Sequence, residues 1–164
     1  MKIQKKFQGT IPENKIMDTY SSSNTDTYSC NYINSQISCI EGRVYSGQSV
    51  AKDTLATIQY KPTNTRGTGI SLTNGVITIN DDNIRIISIN AGTQNTNWSN
   101  GSISMYVFVN GANRATNVVI NTINGILNAT IPVLKGDQIE IKINNTVATK
   151  LENSAWSYLN VLAM

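Results

Sequence analysis

The fold is decided by three segments near the end of the chain, ISMYVFVNG (103–111), NATIPVLKGDQIEIKIN (128–144) and SAWSYLNVLAM (154–164). In each segment apolar residues alternate with polar or small ones, which is the pattern of a β-strand with one buried face. Turn-forming residues separate the segments, and Asn74-Gly75, Asn110-Gly111 and Asn124-Gly125 are of the type that closes tight hairpins. The pattern predicts antiparallel strands joined by short turns.

Composition supports an all-β fold. Asn, Ser and Thr supply 55 of the 164 residues and Ile supplies 22, whereas charged residues make up only 14% of the chain. β-Branched residues favour strands and Asn favours turns, and a helical bundle of this size would contain more Ala, Leu, Glu and Lys. From Gly42 onward turn signals recur every 8 to 12 residues, the spacing of a β-sandwich or barrel.

The first 42 residues have a different character and predict a separate N-terminal segment. Residues 1–19 read as an extended arm, and a short helix is expected to follow, with its apolar stripe at 3.6-residue spacing and its end at Glu41-Gly42. We therefore predict a segment 1–42 for attachment or trimerisation, followed by a sandwich over 43–164. The helical stripe consists of Tyr28, Tyr32, Ile33, Ile37 and Ile40.

The tetrad Leu134-Lys135-Gly136-Asp137 lies between two alternating segments and suits a tight turn, since Gly136 can adopt a positive φ. An aliphatic strand, a Leu-x-Gly-Asp turn, an alternating strand and an aromatic-bearing strand at the end of the chain resemble the second half of a tumour-necrosis-factor/C1q-like jelly roll. The resemblance covers about residues 60–164. It implies a homotrimer built for binding and not for catalysis.

A second resemblance concerns the segment IPENKIMDTYSSSNTDTYSCNYIN (11–34), and the core of the likeness is Thr27–Asn34. This segment is similar to the N-terminal attachment module of small virion proteins from phages of Gram-positive bacteria. The resemblance implies that residues 1–42 contact other virion proteins and that the following head faces outward. A signal peptide is not expected, because Met1-Lys2 is followed by polar residues without an apolar core, so the expected location is the virion after synthesis in the host cytoplasm.

The residue inventory argues against an enzyme. The chain has no histidine, so neither a Ser-His-Asp nor a Cys-His arrangement can be assembled. Asp81-Asp82 could bind a cation through oxygen atoms, but turn chemistry alone explains these residues, and we expect no metal and no cofactor. The net charge is only +3, and the sequence has no cluster of basic residues interleaved with aromatics. No apolar run approaches the length of a membrane span. Nucleic acid and membrane insertion are therefore not expected.

The candidate ligand site is the polar loop Gly92–Gly101. An aromatic plate flanked by amides can bind a sugar ring, which has an apolar face and hydroxyl edges. We predict ligand contacts from Asn95, Asn97, Trp98 and Asn100; the alternative is that Trp98 folds back onto the sandwich or packs at a subunit interface. Trp156 is expected inside the last strand, in the core or at a trimer interface.

Met105–Val109 is a continuous apolar run that predicts a strand buried on both faces, as an oligomer would require. These expectations together predict a trimeric phage appendage whose head binds a host cell-surface glycan, such as cell-wall polysaccharide, during adsorption. One alternative is a purely structural virion decoration, baseplate or head-fibre protein without a ligand. Another is a bacterial C1q-like domain of regulator type, unrelated to phage.

Overall fold

The computed structural model describes residues 37–44, 47–96, 101–120 and 124–164, with only the backbone of residues 119 and 120. The chain separates into two units, Met1–Ser35 and Gln36–Met164, and all described residues belong to the second. The described part is built of β-strands: β1 Ser38–Val44, β2 Gln48–Val50, β3 Ala56–Thr57, β4 Tyr60–Arg66, β5 Ile70–Thr73, β6 Val76–Ile79, β7 Ile86–Gln94, β8 Ser102–Val109, β9 Ala112–Ile120, β10 Asn124–Pro132, β11 Gln138–Asn145, β12 Thr149–Leu151 and β13 Tyr158–Ala163.

The strands form two main antiparallel sheets. One has the order β10-β7-β13-β1-β4, and the other has the order β5-β6-β11-β8-β9, with β3 added beside β11. A short two-stranded ribbon consists of β2 and β12. Neighbouring strands in the sheets are mostly distant in sequence, as in the jelly-roll class of sandwich. The predicted all-β sandwich is confirmed.

The core lies between the two sheets and is filled largely by isoleucine. Strand β8 shows the alternation clearly, with Ile103, Met105, Val107 and Val109 at most 5% exposed and the residues between them half-buried. A fully buried aliphatic side chain of this size stabilises the fold by about 1.5–3 kcal/mol relative to an exposed one. The largest fully buried side chains are Ile40, Ile58, Ile77, Ile79, Ile87, Ile89, Ile103, Met105, Leu127, Ile139, Ile141 and Ile143.

The predicted end of the N-terminal helix is wrong. Ser38–Val44 forms β1, which pairs with β13 on one side and β4 on the other. Every second residue of β1 is buried, which is the two-residue period of a strand and not the period of a helix. The buried residues are Ser38, Ile40, Gly42 and Val44. The predicted boundary after residue 42 therefore falls inside a central strand. The remainder of the predicted arm and helix lies outside the described residues.

In the single subunit Met105–Val109 is buried on one face only, so burial of the second face by an oligomer stays a prediction. Tyr106 and Phe108 are half-buried on the outward face of the six-stranded sheet, whereas Met105, Val107 and Val109 point inward. The apolar run therefore alternates like its neighbours. Its two aromatic rings contact each other, with centroids 6.2 Å apart in an edge-to-face arrangement.

Candidate ligand-binding site

The predicted site lies at the end of the sandwich where β7 leads into β8. Of its four residues the structure describes Asn95, which is only 6% exposed and forms an isolated backbone bridge with Leu151. Asn97, Trp98 and Asn100 lie outside the described residues. Asn95 therefore belongs to the interior of this end of the sandwich. Ligand binding by the four residues stays a prediction.

Both ends of the β7–β8 connection are fixed by hydrogen bonds to other loops. On the β7 side the backbone N–H of Thr96 donates to the carbonyl of Lys150 at 2.9 Å, and the N–H of Gln94 donates to Ser157 Oγ at 2.9 Å. On the β8 side the N–H of Ser102 donates to Thr146 Oγ1 at 2.9 Å. The two residues that flank the connection are therefore held in place by the rest of the domain.

A group of buried polar side chains lies beneath this end. Thr93 and Asn145 are fully buried, and Thr93 Oγ1, Asn95 Oδ1 and both side-chain polar atoms of Asn145 have no hydrogen-bond partner among the described residues. A buried polar atom left without a partner costs about 1–3 kcal/mol, so this end of the core requires water or further polar groups. Sequence analysis missed Asn145, although its position was readable: it continues the inward register of Ile139, Ile141 and Ile143.

The outward face of the six-stranded sheet carries a cluster whose charged groups are already paired. Lys142 Nζ lies 3.1 Å from Glu140 Oε2 and 4.8 Å from the centroid of the Phe108 ring. Thr57 Oγ1 donates to Glu140 Oε1 at 2.6 Å. The Thr57 hydrogen bond, with help from Lys142, lowers the pKa of Glu140 below its ordinary value. Because these groups satisfy one another, the cluster serves the sheet itself.

The outward face of the five-stranded sheet is different, because a row of four amides and one carboxylate, called the amide row below, crosses it. The strand registers place one exposed polar residue from each strand side by side, and Asn90 Nδ2 donates to Asn128 Oδ1 at 2.6 Å. The complete row is Asn128, Asn90, Asn160, Glu41 and Asn64. Ile86, Ile126 and Leu162 lie on the same face and are 41%, 37% and 38% exposed. This face combines unburied aliphatic side chains with amides that can pair.

A hollow of about 440 Å³ opens on this face beside the amide row. Its wall includes Arg43, whose Nη1 donates to the carbonyls of Ser154 and Ala155 at 3.3 and 3.1 Å. Tyr158 lies at the other side, where Gly92 leaves room for its ring: a Cβ on Gly92 would lie 2.7 Å from Tyr158 Cε1. The hollow is therefore shaped by fixed groups.

Trp156 is not in the last strand. The strand β13 begins at Tyr158, and Trp156 lies in the preceding turn with 54% of its surface exposed. Its backbone N–H donates to Ser154 Oγ at 3.2 Å, which is the geometry of a serine-initiated turn. The predicted core position is wrong for this subunit, and contact with another subunit stays a prediction.

Asp81 and Asp82 form a turn, as favoured from the sequence. Asp81 Oδ1 accepts from the backbone N–H of Asn83 at 2.8 Å, and Asp82 Oδ2 lies 3.1 Å from Lys135 Nζ. Within the described ranges no group of three or more His, Cys, Asp or Glu side chains is placed to hold a metal ion. The same ranges contain no helix that is long and apolar enough to cross a membrane.

Comparison with solved structures places the fold among tumour-necrosis-factor-like jelly rolls. The structure of murine APRIL at pH 8.0, a TNF-family protein, matches with a TM-score of 0.65 and 15% identity, over 78% of this chain and 99% of that one. The phage protein PRD1 vertex protein P5 matches with a TM-score of 0.60 and 19% identity, over 77% of this chain and 71% of that one. The predicted TNF/C1q-like jelly roll is thereby confirmed. No family model and no curated protein matches the sequence.

Proposed function

We propose that the protein is a structural component of a phage virion, a homotrimeric appendage whose head binds a host cell-surface glycan. The observation that carries the virion part is the fold shared with a phage vertex protein. At 19% identity this likeness concerns the fold, so the particle location is our inference from the likeness together with the N-terminal segment. The residues ahead of β1 would attach the head to other virion proteins.

The homotrimer is supported by the outward face of the five-stranded sheet. Ile86, Ile126 and Leu162 leave aliphatic surface exposed there, next to a row of amides that could pair across a subunit boundary. Subunit interfaces combine an apolar centre with satisfied hydrogen bonds in this way. The outward face of the other sheet, with its charged groups paired to each other, has less need of a partner subunit.

Adhesion is the activity that suits such a molecule. A trimer presents three identical sites and a particle presents many trimers, so weak single contacts add up to strong attachment. The predicted contact loop joins β7 to β8, and hydrogen bonds hold Thr96 and Ser102 on either side of it, which suits a binding site anchored to the sandwich. A purely structural decoration without a ligand is the second candidate, and the buried position of Asn95 favours it.

The two candidates differ in binding to host cells and their wall polysaccharide. The chain has two tryptophans, which offers a matched pair of variants, Trp98→Ala in the predicted loop and Trp156→Ala in the turn before β13. We expect the unchanged protein and W156A to bind cells, and W98A to bind at least about fivefold more weakly, since stacking on an aromatic ring contributes about 1–3 kcal/mol. Circular dichroism should show that both variants are folded.

Two results would count against the adhesin. If W98A binds as well as W156A, the loop is not the contact surface. If the unchanged protein binds neither cells nor wall polysaccharide up to about millimolar concentration, the structural decoration is the better proposal.

A further inference from the structure

A second hollow lies at the seam between the sheets, where β9 and β10, each at the edge of its own sheet, come together. Its volume is about 510 Å³, within the range of small-ligand sites. The β8–β9 turn and the turn that follows β10 form its two ends. It is distinct from the β7–β8 connection, and the sequence analysis assigned nothing to it.

A β-bulge places Arg114 at this hollow. In the pairing of β8 with β9, Val107 lies opposite Ala115 and Phe108 lies opposite Asn113, so Arg114 is the extra residue of β9. A bulge interrupts the alternation of a strand and redirects the side chain at that point. Arg114 lines the hollow, and no hydrogen bond or ion pair joins its guanidinium to another described residue. The hollow therefore contains an unpaired positive charge.

The wall facing solvent is fixed by a small hydrogen-bond network. Asp137 Oδ1 accepts from Asn110 Nδ2 at 2.7 Å, and Asp137 Oδ2 accepts from the backbone N–H of Leu134 at 2.8 Å. Asn110 Oδ1 in turn accepts from the N–H of Gln138 at 2.9 Å. Each Asp137 oxygen can still accept a second hydrogen bond. Acceptors held in this way are ready for the hydroxyl groups of a ligand, with little entropy left to lose.

The floor of the hollow is apolar. Val109, Ile131 and Val133 are 4% or 5% exposed, and Pro132 and Leu134 lie beside them at the rim. Such a floor suits the carbon skeleton of a sugar or polyol. A guanidinium binds a carboxylate or a phosphate through two parallel hydrogen bonds, and it therefore favours anionic groups over neutral ones. The three parts together specify an anionic group, hydroxyl groups and an apolar face in one ligand.

We propose that the seam hollow binds a sugar or polyol unit that carries an oxyanion, either a sugar carboxylate or a phosphodiester-linked polyol. Arg114 pairs with the oxyanion, Asp137 accepts from hydroxyl groups, and Ile131 with Val133 contacts the carbon skeleton. This inference deepens the proposed adhesion by naming the class of glycan. It rests on the proposed adhesion, but the residues that line the hollow are not those of the predicted loop, so variants test the two sites separately.

The test is a titration of the full-length protein with three probes. Binding is monitored through the amide chemical shifts of the protein in NMR spectra. Methyl glucuronide carries a carboxylate, glycerol phosphate carries a phosphate, and methyl glucoside carries neither. We expect one or both anionic probes to shift residues around the hollow with a dissociation constant of about 1 mM, and the neutral probe to shift none. The two anionic probes distinguish a uronic acid from a polyol phosphate as the source of the oxyanion.

The decisive variant is Arg114→Gln, with Arg66→Gln as the control that removes the same charge from an exposed position on β4. We expect R114Q to weaken binding of the anionic probe by at least about tenfold and R66Q by less than about twofold. Equal effects would reduce the proposal to general charge attraction and overturn it. It is equally overturned if no probe binds, or if R114Q changes the mass of the particle in solution, which would assign Arg114 to a contact between copies.

Discussion

Tyr60 shows how one buried hydroxyl links β4 to β7, two strands of the five-stranded sheet that are not neighbours. It is 2% exposed, and its hydroxyl donates to the carbonyl of Gly92 at 3.1 Å, which joins the start of β4 to β7 across the interior. Burial, followed by the nearby Tyr158, raises the pKa of Tyr60 far above its ordinary value. The phenol therefore stays neutral in the folded protein above the pH at which an exposed tyrosine ionises.

This raised pKa predicts a loss of stability in alkali. Below pH about 10 the phenol is neutral in both the folded and the unfolded chain. Above that pH the unfolded chain releases the proton and the folded chain does not, so the free energy of unfolding falls by up to about 1.4 kcal/mol per pH unit. Tyr60→Phe should lack this part of the slope but lose about 1–2 kcal/mol at neutral pH, because the Gly92 carbonyl loses its partner.

Urea unfolding of both proteins between pH 8 and pH 11 measures the two slopes, and the other tyrosines contribute equally to each. Parallel slopes would show that Tyr60 ionises in the folded state, contrary to its burial.

Among the elements, β1 is the one whose role was least expected. Its seven residues lie between β13 and β4, and Ile40 and Val44 each have only 1% of their surface exposed. We predict that a chain beginning at residue 37 folds, whereas a chain beginning at residue 43 does not, because the second leaves β4 without its neighbour and removes Ile40 from the core. Thermal unfolding followed by circular dichroism compares the two chains. A cooperative transition in the shorter chain at the same temperature would restore the boundary predicted from the sequence.

The elements also show what sequence can predict. The hairpin turn predicted at Asn74-Gly75 is present, with both residues at positive φ, and β6 (Val76–Ile79) follows it directly, so this element is defined locally. Ile40 fits both the helical stripe and the strand alternation of Ser38–Val44, and the strand is stabilised by pairing with β13, more than 110 positions away in the chain. The bulge at Arg114 likewise exists only as a relation between β8 and β9, so no local pattern could indicate it.

The candidate sites also divide into features that a local sequence pattern indicates and features that depend on distant parts of the chain. The inward register of β11 would have revealed Asn145, since every second residue before it is a buried isoleucine. Trp156 was placed in a strand because the alternation of its neighbours continues through it, but Ser154 begins a turn that delays the strand to Tyr158. The seam hollow required the relative position of two sheet edges, which is a property of the folded chain.

The whole molecule is expected to be a trimer with a mass near three times 17.9 kDa. Leu162→Lys places a charge on the outward face of the five-stranded sheet, and Val118→Lys places one on β9, the edge strand of the six-stranded sheet, at a residue 53% exposed. We expect L162K to dissociate into monomers and V118K to remain a trimer, since a charge buried without a partner at an interface costs several kcal/mol.

Light scattering coupled to size-exclusion chromatography gives each mass directly. If the unchanged protein is a monomer, the predicted trimer is wrong. If L162K is still a trimer, the subunits contact each other through a different face.

The central position of β1 and β13 also determines how the domain can fold. The registers join Ser38 to Ala163 and Arg43 to Tyr158, so the middle of the five-stranded sheet is made from the two ends of the described region. The chain loses the entropy of closing this long loop before the contacts between β1 and β13 form. Proteins with many such long-range contacts fold slowly for this reason. During synthesis β4, β7 and β10 emerge before β13, with their apolar faces uncovered. The five-stranded sheet therefore cannot close until β13 has joined the β7–β10 pair to the β1–β4 pair.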